Sequence, residues 1–149
     1  MARSNFAYVT YIRTTPEKLW TALTEPEFTR QYWFDMRHDT DWKKGSPWKL
    51  VAADNRVFDS GEVVEADPPR RLVLRWRNEM FPELREEGYS TCTIELEPMG
   101  KSVKLSITHA IDRDPSVFIS KVSGGWPMVL SNLKSLLETG ETIVTRPSI

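Results

Sequence analysis

The chain has 149 residues, with 20 basic and 21 acidic side chains and a formal net charge of −1. That balance argues against a nucleic-acid binder working through bulk charge, and 40% hydrophobic with 28% charged residues fits neither a membrane-embedded nor a disordered chain. A single cysteine makes neither an internal disulfide nor a four-cysteine metal site.

The first residues lack the apolar core of a signal peptide, and no stretch approaches the roughly 20 apolar residues of a membrane span. The expectation is a cytoplasmic single domain over residues 1–144, followed by a short tail, 145–149, that carries Arg146 and Pro147. In chain order, residues 5–13 alternate and are rich in β-branched and aromatic side chains, which predicts a strand. Thr15-Pro16-Glu17 supplies a hydroxyl cap, a proline for the first helical position and an acid for the first turn. Leu19, Trp20 and Leu23 follow at helical spacing. Glu25-Pro26 ends that helix and starts a second short one that finishes near Tyr32, Trp33 and Phe34.

From Trp42 to Ala110 the period changes to two. Strands are expected at 46–53, 57–65, 71–78, 89–97 and 102–110, separated by Asp54-Asn55, Asp67-Pro68-Pro69, a charged loop from Glu79 to Gly88, and Pro98-Met99-Gly100. Such spacing makes an antiparallel meander. Pro115-Ser116 then opens a helix whose Trp126, Val129, Leu130, Leu133, Leu136 and Leu137 form one apolar stripe. Gly140 is placed to close it, and Gly124-Gly125-Trp126-Pro127 is expected to kink it.

The first strand must join the meander, giving a six-stranded antiparallel sheet with one apolar face. The closing helix needs a partner of that kind. The predicted class is therefore α+β: a helix-grip fold, with the sheet wrapped around a long C-terminal helix and two short helices between strands 1 and 2. A cavity is expected wherever the facing side chains fail to meet.

Several segments together resemble a known family. They are Leu19-Trp20, Trp33, the run from Gly61 through Asp67-Pro68-Pro69-Arg70-Arg71-Leu72 with Trp76, Leu105-Ser106-Ile107-Thr108-His109, and Gly125-Trp126-Pro127 through Leu133 to Gly140. The pattern is similar to the START-like superfamily, and within it to the branch resembling the C-terminal domain of the activator of heat-shock-protein-ninety ATPase. The likeness spans about residues 5–140. It implies a helix-grip fold with a hydrophobic cavity between sheet and C-terminal helix, in a superfamily of lipid carriers, hormone receptors, polyketide cyclases and chaperone activators. Two places depart from the usual pattern: Gly45-Ser46 stands where Gly-Gly is common, and Ala53-Asp54-Asn55-Arg56 where a glycine-containing turn is usual. The eukaryotic activator also carries a separate N-terminal domain for which this chain has no room, which removes most support for a chaperone partner.

The last hairpin is registered by placing Glu97 and Ser102 at the turn, so that Leu96 faces Val103, Ile94 faces Leu105, Cys92 faces Ile107 and Ser90 faces His109. Pairing across Asp54-Asn55 and then across Pro68-Pro69 sets Trp48 and Trp76 on either side of Gly61, leaving room for rings or a ligand. It also points Asp59 inward, where an unpaired carboxylate is costly. The inner face of 46–53 and 57–65 stays open, because Val51, Phe58 and Val64 compete with Leu50, Val57 and Val63.

The expected cavity wall is Trp48, Trp76, Leu74, Ile94 and Ile107 from the sheet, with Trp126, Val129, Leu130 and Leu133 from the helix. His109 and Asp59 are the expected orienting groups for a bound hydrophobic small molecule. Imidazole titrates near neutrality and suits acid–base work, yet a histidine at a strand end is more often a satisfied structural one. Cys92 and His109 fall as diagonal neighbours about 7–8 Å apart, too far for direct proton transfer, and a lone inward thiol reads as a small hydrophobe. His38-Asp39-Thr40-Asp41 holds three potential ligands in four residues, but adjacent ligands in an extended loop point apart, so a polar loop and no metal site are expected. The stretch from Glu79 to Glu87 reads as a solvated loop or as a lid contributing Met80, Phe81 and Leu84. Phosphate-loop, dinucleotide and nucleophile-elbow motifs are all missing, so no cofactor is expected. Two alternatives stand beside ligand binding: a cyclase- or hydrolase-like enzyme using a polar group in the same cavity, and a chaperone-interaction module. A homodimer fits a domain of this size.

Overall fold

A computed structural model describes residues 3–145. Its elements are β1 (Ser4–Ile12), α1 (Pro16–Thr24), α2 (Pro26–Tyr32), β2 (Arg37–Asp39), β3 (Pro47–Val51), β4 (Val57–Asp67), β5 (Arg71–Asn78), α3 (Pro82–Arg85), β6 (Ser90–Met99), β7 (Ser102–Ile111) and α4 (Val117–Thr139). The strands form one antiparallel sheet in the order β1-β7-β6-β5-β4-β3-β2. This is the expected α+β architecture with seven strands rather than six. The extra one is β2, three residues long and too short to show a period, and it pairs with β3. No helix among the described residues is long and apolar enough to cross a membrane.

The helix signals act as their chemistry requires. Thr15 caps α1 through its side chain, which accepts from the Lys18 N–H at 3.2 Å, and Pro16 occupies the first turn. Ser116 caps α4 by accepting from the Ile119 N–H, and Gly140 closes it at φ +87°. Gly124, Gly125 and Pro127 leave α4 unbroken over its 23 residues.

The last hairpin pairs differently from the expectation. Both strands run on to Met99 and Ser102, so a two-residue turn, Gly100-Lys101, closes it. Cys92 therefore faces His109, Ile94 faces Ile107 and Leu96 faces Leu105. The slip is two residues, which preserves the inward face; Pro98 misled because proline suggests a break, whereas here it lies near a hairpin end.

In the middle strands, the register across Gly61 is the expected one: Trp48 pairs with Gly61, and Gly61 with Trp76. Two register shifts, at Leu50/Val51 and Val63/Glu65, explain why no single alternation fitted these strands. Leu50 and Val63 are buried, while Val64 is 37% exposed.

Gly61 does more than leave room for rings. A Cβ there would lie 1.7 Å from the Arg75 carbonyl oxygen, a backbone atom that cannot step aside. Gly61→Ala is therefore expected to lower stability by about 3 kcal/mol, the upper range for overpacking, measured as a shift in urea midpoint at unchanged slope.

Candidate functional site

The apolar face of the sheet meets α4 around a cluster of aromatic rings. Trp48 and Trp76 project from β3 and β5 and close to a centroid separation of 4.5 Å across Gly61. Trp33, at the end of α2, stacks on Trp76 at 6.2 Å and meets Trp126 of α4 edge-on at 5.1 Å. His38 on β2 packs against Trp33, Trp42 and Trp48. Five of the six tryptophans thus share one cluster; Trp20 packs against the core from α1.

The two histidines are held in the same way. An indole N–H only donates, so each ring nitrogen facing one must be an unprotonated acceptor. Trp126 Nε1 donates to His109 Nδ1 at 3.2 Å, and Trp48 Nε1 donates to His38 Nδ1 at 3.0 Å. The proton of each neutral imidazole then sits on Nε2. For His109 that N–H donates to Ser90 Oγ at 2.8 Å, and the Ser90 hydroxyl donates on to the Trp76 carbonyl at 2.8 Å. Burial holds both imidazoles far below their ordinary range, at about 3. His109 is thus a neutral, buried imidazole whose lone pair is occupied.

Cys92 lies directly opposite His109, not diagonal to it, but burial pushes its thiol up and both His109 nitrogens are engaged elsewhere. The thiol is inert by that account. Asp59 points inward and is 6% exposed. Burial pushes its carboxyl up to about 7; Asn78 Nδ2, which donates to Oδ1 at 3.2 Å, and the nearby Trp76 indole act against that rise.

The nine residues expected at the wall and the two expected orienting groups, His109 and Asp59, are all buried. Leu74, Trp76, Ile94, Trp126, Val129 and Leu130 line one apolar cavity. Trp48, Asp59, Ile107, His109 and Leu133 are buried but are not part of that lining. Sequence reasoning missed five lining residues: Leu23, Tyr32, Trp33, His38 and Leu72. His38 was read as part of a polar loop, yet it is 8% exposed on an edge strand. Met80, Phe81 and Leu84 do not line the cavity either: Leu84 is buried in the core and Phe81 is half exposed. Instead the segment clasps α4, since the Glu87 carboxylate accepts from the Ser116 hydroxyl and from the Val117 N–H at 2.8 Å. Among the described residues no three His, Cys, Asp or Glu side chains are grouped to hold a metal.

The cavity itself is nearly filled. Its volume is about 10 Å³, room for a single water at most. Two polar atoms on its lining residues are buried without a hydrogen-bond partner: the Tyr32 hydroxyl and Trp76 Nε1. Burial raises the Tyr32 pKa, so that hydroxyl keeps its proton.

Residues 13–138 match the family of Activator of Hsp90 ATPase homolog 1-like proteins. The chain belongs to this family. Among solved structures, a protein of Mesorhizobium loti is 23% identical with a TM-score of 0.77, covering 91% of this chain and 97% of that one. The Aha1 dimer from Colwellia psychrerythraea is 20% identical with a TM-score of 0.71, over 92% and 98%. An HSP90 activator from Plasmodium falciparum is 23% identical with a TM-score of 0.70, over 89% and 95%. At such identities these likenesses establish the START-like fold. No curated protein is significantly similar in sequence.

The titration behaviour fixes how stability follows pH. An unfolded histidine binds a proton below about 6.5 that the fold refuses until about 3, so each imidazole makes stability fall as pH drops through that window. Asp59 acts oppositely: the fold keeps a proton up to about 7 that the unfolded chain loses near 3.8, so stability falls as pH rises between them. Two imidazoles outweigh one carboxyl, and stability is expected to rise from pH 4 to about 6.5. Long-range nitrogen NMR should show both imidazoles neutral at pH 5 with the proton on Nε2. Asp59→Asn should stabilise the fold at pH 8, by at most about 4 kcal/mol, and change little at pH 4, where the native carboxyl is already protonated.

Proposed function

We propose that this domain binds an uncharged hydrophobic small molecule between the sheet and α4, one that presents a hydrogen-bond acceptor to Tyr32 and Trp76. The observation that carries this reading is the pair of buried, unpartnered donors on an otherwise apolar, aromatic lining. A buried donor without a partner costs about 1–3 kcal/mol, and a ligand oxygen between them removes that cost. The lining has no cationic side chain to neutralise an acid, and its one imidazole, His38, is held neutral. A flat ligand suits walls made of indole rings, which stack at little entropic cost.

Binding requires the aromatic cluster to open, because about 10 Å³ holds no organic molecule. The segment that follows α2 and carries Trp33 is suited to move. Phe34, Asp35 and Trp42 hold φ of +50°, +64° and +62°, values that bulky residues rarely adopt. Withdrawing the Trp33 ring, while His38 stays bonded to Trp48, vacates the space beside Trp76.

The enzyme alternative has less to work with. His109 has no free lone pair while Trp126 donates to it, and Asp59 sits behind the lining. The chaperone alternative follows family membership and the Plasmodium relative, and association with the chaperone's middle domain in a pull-down is its test.

Tryptophan fluorescence is the direct assay for ligand binding, since three indoles, Trp33, Trp76 and Trp126, line the cavity. Flavone, an uncharged planar carbonyl compound, should quench it with saturation, whereas a fatty acid should bind less well. Tyr32→Phe should raise the stability of the free protein by about 1 kcal/mol and weaken flavone binding by roughly tenfold. A flat titration with no thermal shift for any apolar class defeats the proposal.

A further inference from the structure

The two edges of the sheet are finished differently. One ends in the three-residue β2, and shortness is a common way to blunt an edge. The other ends in the nine-residue β1, Ser-Asn-Phe-Ala-Tyr-Val-Thr-Tyr-Ile, which has no charge, no proline and no bulge along its pairing with β7.

Which β1 groups face outward follows from the last hairpin. A two-residue turn closes on a hydrogen-bonded pair, here Met99 and Ser102, so the even-numbered residues of β7 bond to β6. The odd-numbered residues of β7 therefore bond to β1, and their partners are Ser4, Phe6, Tyr8, Thr10 and Ile12. The N–H and C=O groups of Asn5, Ala7, Val9 and Tyr11 point away from the sheet. Two side chains of α4 occupy the far end of this edge: Lys134 donates to the Tyr11 carbonyl, and Glu138 accepts from the Arg13 N–H. At Asn5, Ala7 and Val9 no backbone partner exists among the described residues.

From this geometry we infer that β1 is a homodimerisation edge, pairing antiparallel with β1 of a second copy about a two-fold axis at Ala7. The spacing is self-complementary. Asn5 meets the partner's Val9, Ala7 meets the partner's Ala7, and Val9 meets the partner's Asn5, so every outward group finds a mate. The same register sets Phe6 opposite the partner's Tyr8 on the inner face. Phe6 and Tyr8 are half-buried and stacked within each copy at 6.3 Å and 16°, so four rings gather across the axis. On the outer face Val9 and Tyr11, 50% and 48% exposed, extend the apolar surface. Charge permits a like partner: the outer face elsewhere carries ion pairs, Arg71 with Glu65 and Glu95 and Arg75 with Glu62, whereas Ser4–Ile12 has no charged side chain to repel its own copy, and Lys134 and Glu138 sit at the far end, away from the axis at Ala7. The result is one continuous sheet of fourteen strands, seven from each copy.

Sedimentation equilibrium of the full chain, with amide exchange on the same samples, tests this. The wild type should be dimeric, with the Asn5, Ala7 and Val9 amides protected in proportion to dimer. Ala7→Lys sets two lysines against each other at the axis while the exposed position accepts the side chain, and it should weaken the dimer more than tenfold. Ala7→Pro, which removes an outward N–H and no internal bond, should do the same. Circular dichroism and the unfolding midpoint report whether either variant still folds. A monomer whose three amides exchange freely, or a dimer that survives both folded variants, overturns the assignment. None of these outcomes depends on whether the cavity binds a ligand.

Discussion

An indole nitrogen has one hydrogen and no lone pair to offer, and this structure hangs on that asymmetry. Trp126 makes a buried polar contact that joins α4 to the sheet beneath it, and its N–H requires a bare Nδ1 on His109. The proton thus displaced to Nε2 needs an acceptor, and Ser90 supplies one while passing its own hydrogen to the Trp76 carbonyl. Helix, β7, β6 and β5 are tied in sequence by groups that each have one permitted role. The Trp48–His38 pair repeats the first step at the other side of the cluster, tying β3 to β2. Two imidazoles that carry a charge in acid are thus made neutral packing elements, and burial enforces it.

The same asymmetry sets apart the third indole of the group. Trp76 lies between the two engaged tryptophans, 4.5 Å from the ring of Trp48 and 5.8 Å from that of Trp126, but its own N–H has no partner of good geometry. The Trp76 indole helps to hold the Asp59 carboxyl down against the rise that burial causes, and the hydrogen bond that carboxyl accepts comes from Asn78. Both histidine acceptors are spent. The unmatched donor therefore reflects how the available acceptors are shared out among three neighbouring indoles.

Much of the fold was legible because its signals are local. Thr15-Pro16 and Ser116 are caps whose side chains reach a specific amide, and the stripe from Trp126 to Leu133 has one possible face. The pairing across Gly61 was legible because only glycine allows β4 and β5 to approach so closely there. Two things were not. The turn at Gly100-Lys101 hid behind Pro98, and the two-residue slip brought Cys92 opposite His109 while leaving the inward stripe intact, so patterning alone had no means to detect it. The contribution of Tyr32, Trp33 and His38 to the cavity was hidden for another reason. Their segment has no period: its course is set by positive φ at Phe34, Asp35 and Trp42, and by ring packing with strands far along the chain.

The collapsed cavity and the rigid relay behind it divide the labour between two layers. Behind the lining, His109, Ser90 and Trp48 are satisfied, and Gly61 forbids change by contact with backbone. On the lining itself, the Trp33 side chain is held by ring contacts, Tyr32 and Trp76 have idle donors, and the connecting segment is held in a costly conformation. Favourable hydrogen bonding is thus concentrated where motion would unfold the domain, and the unsatisfied groups belong to residues of the cavity lining. Asn132 marks the boundary from the other side: 1% exposed on α4, it accepts from the Ile143 and Val144 amides and donates to the Val144 carbonyl, anchoring the chain after α4. Its amide also reaches the Tyr32 carbonyl at 3.5 Å. The backbone of Tyr32 is thereby fixed to the rigid layer while its hydroxyl, a side chain's length away, stays in the adaptable one.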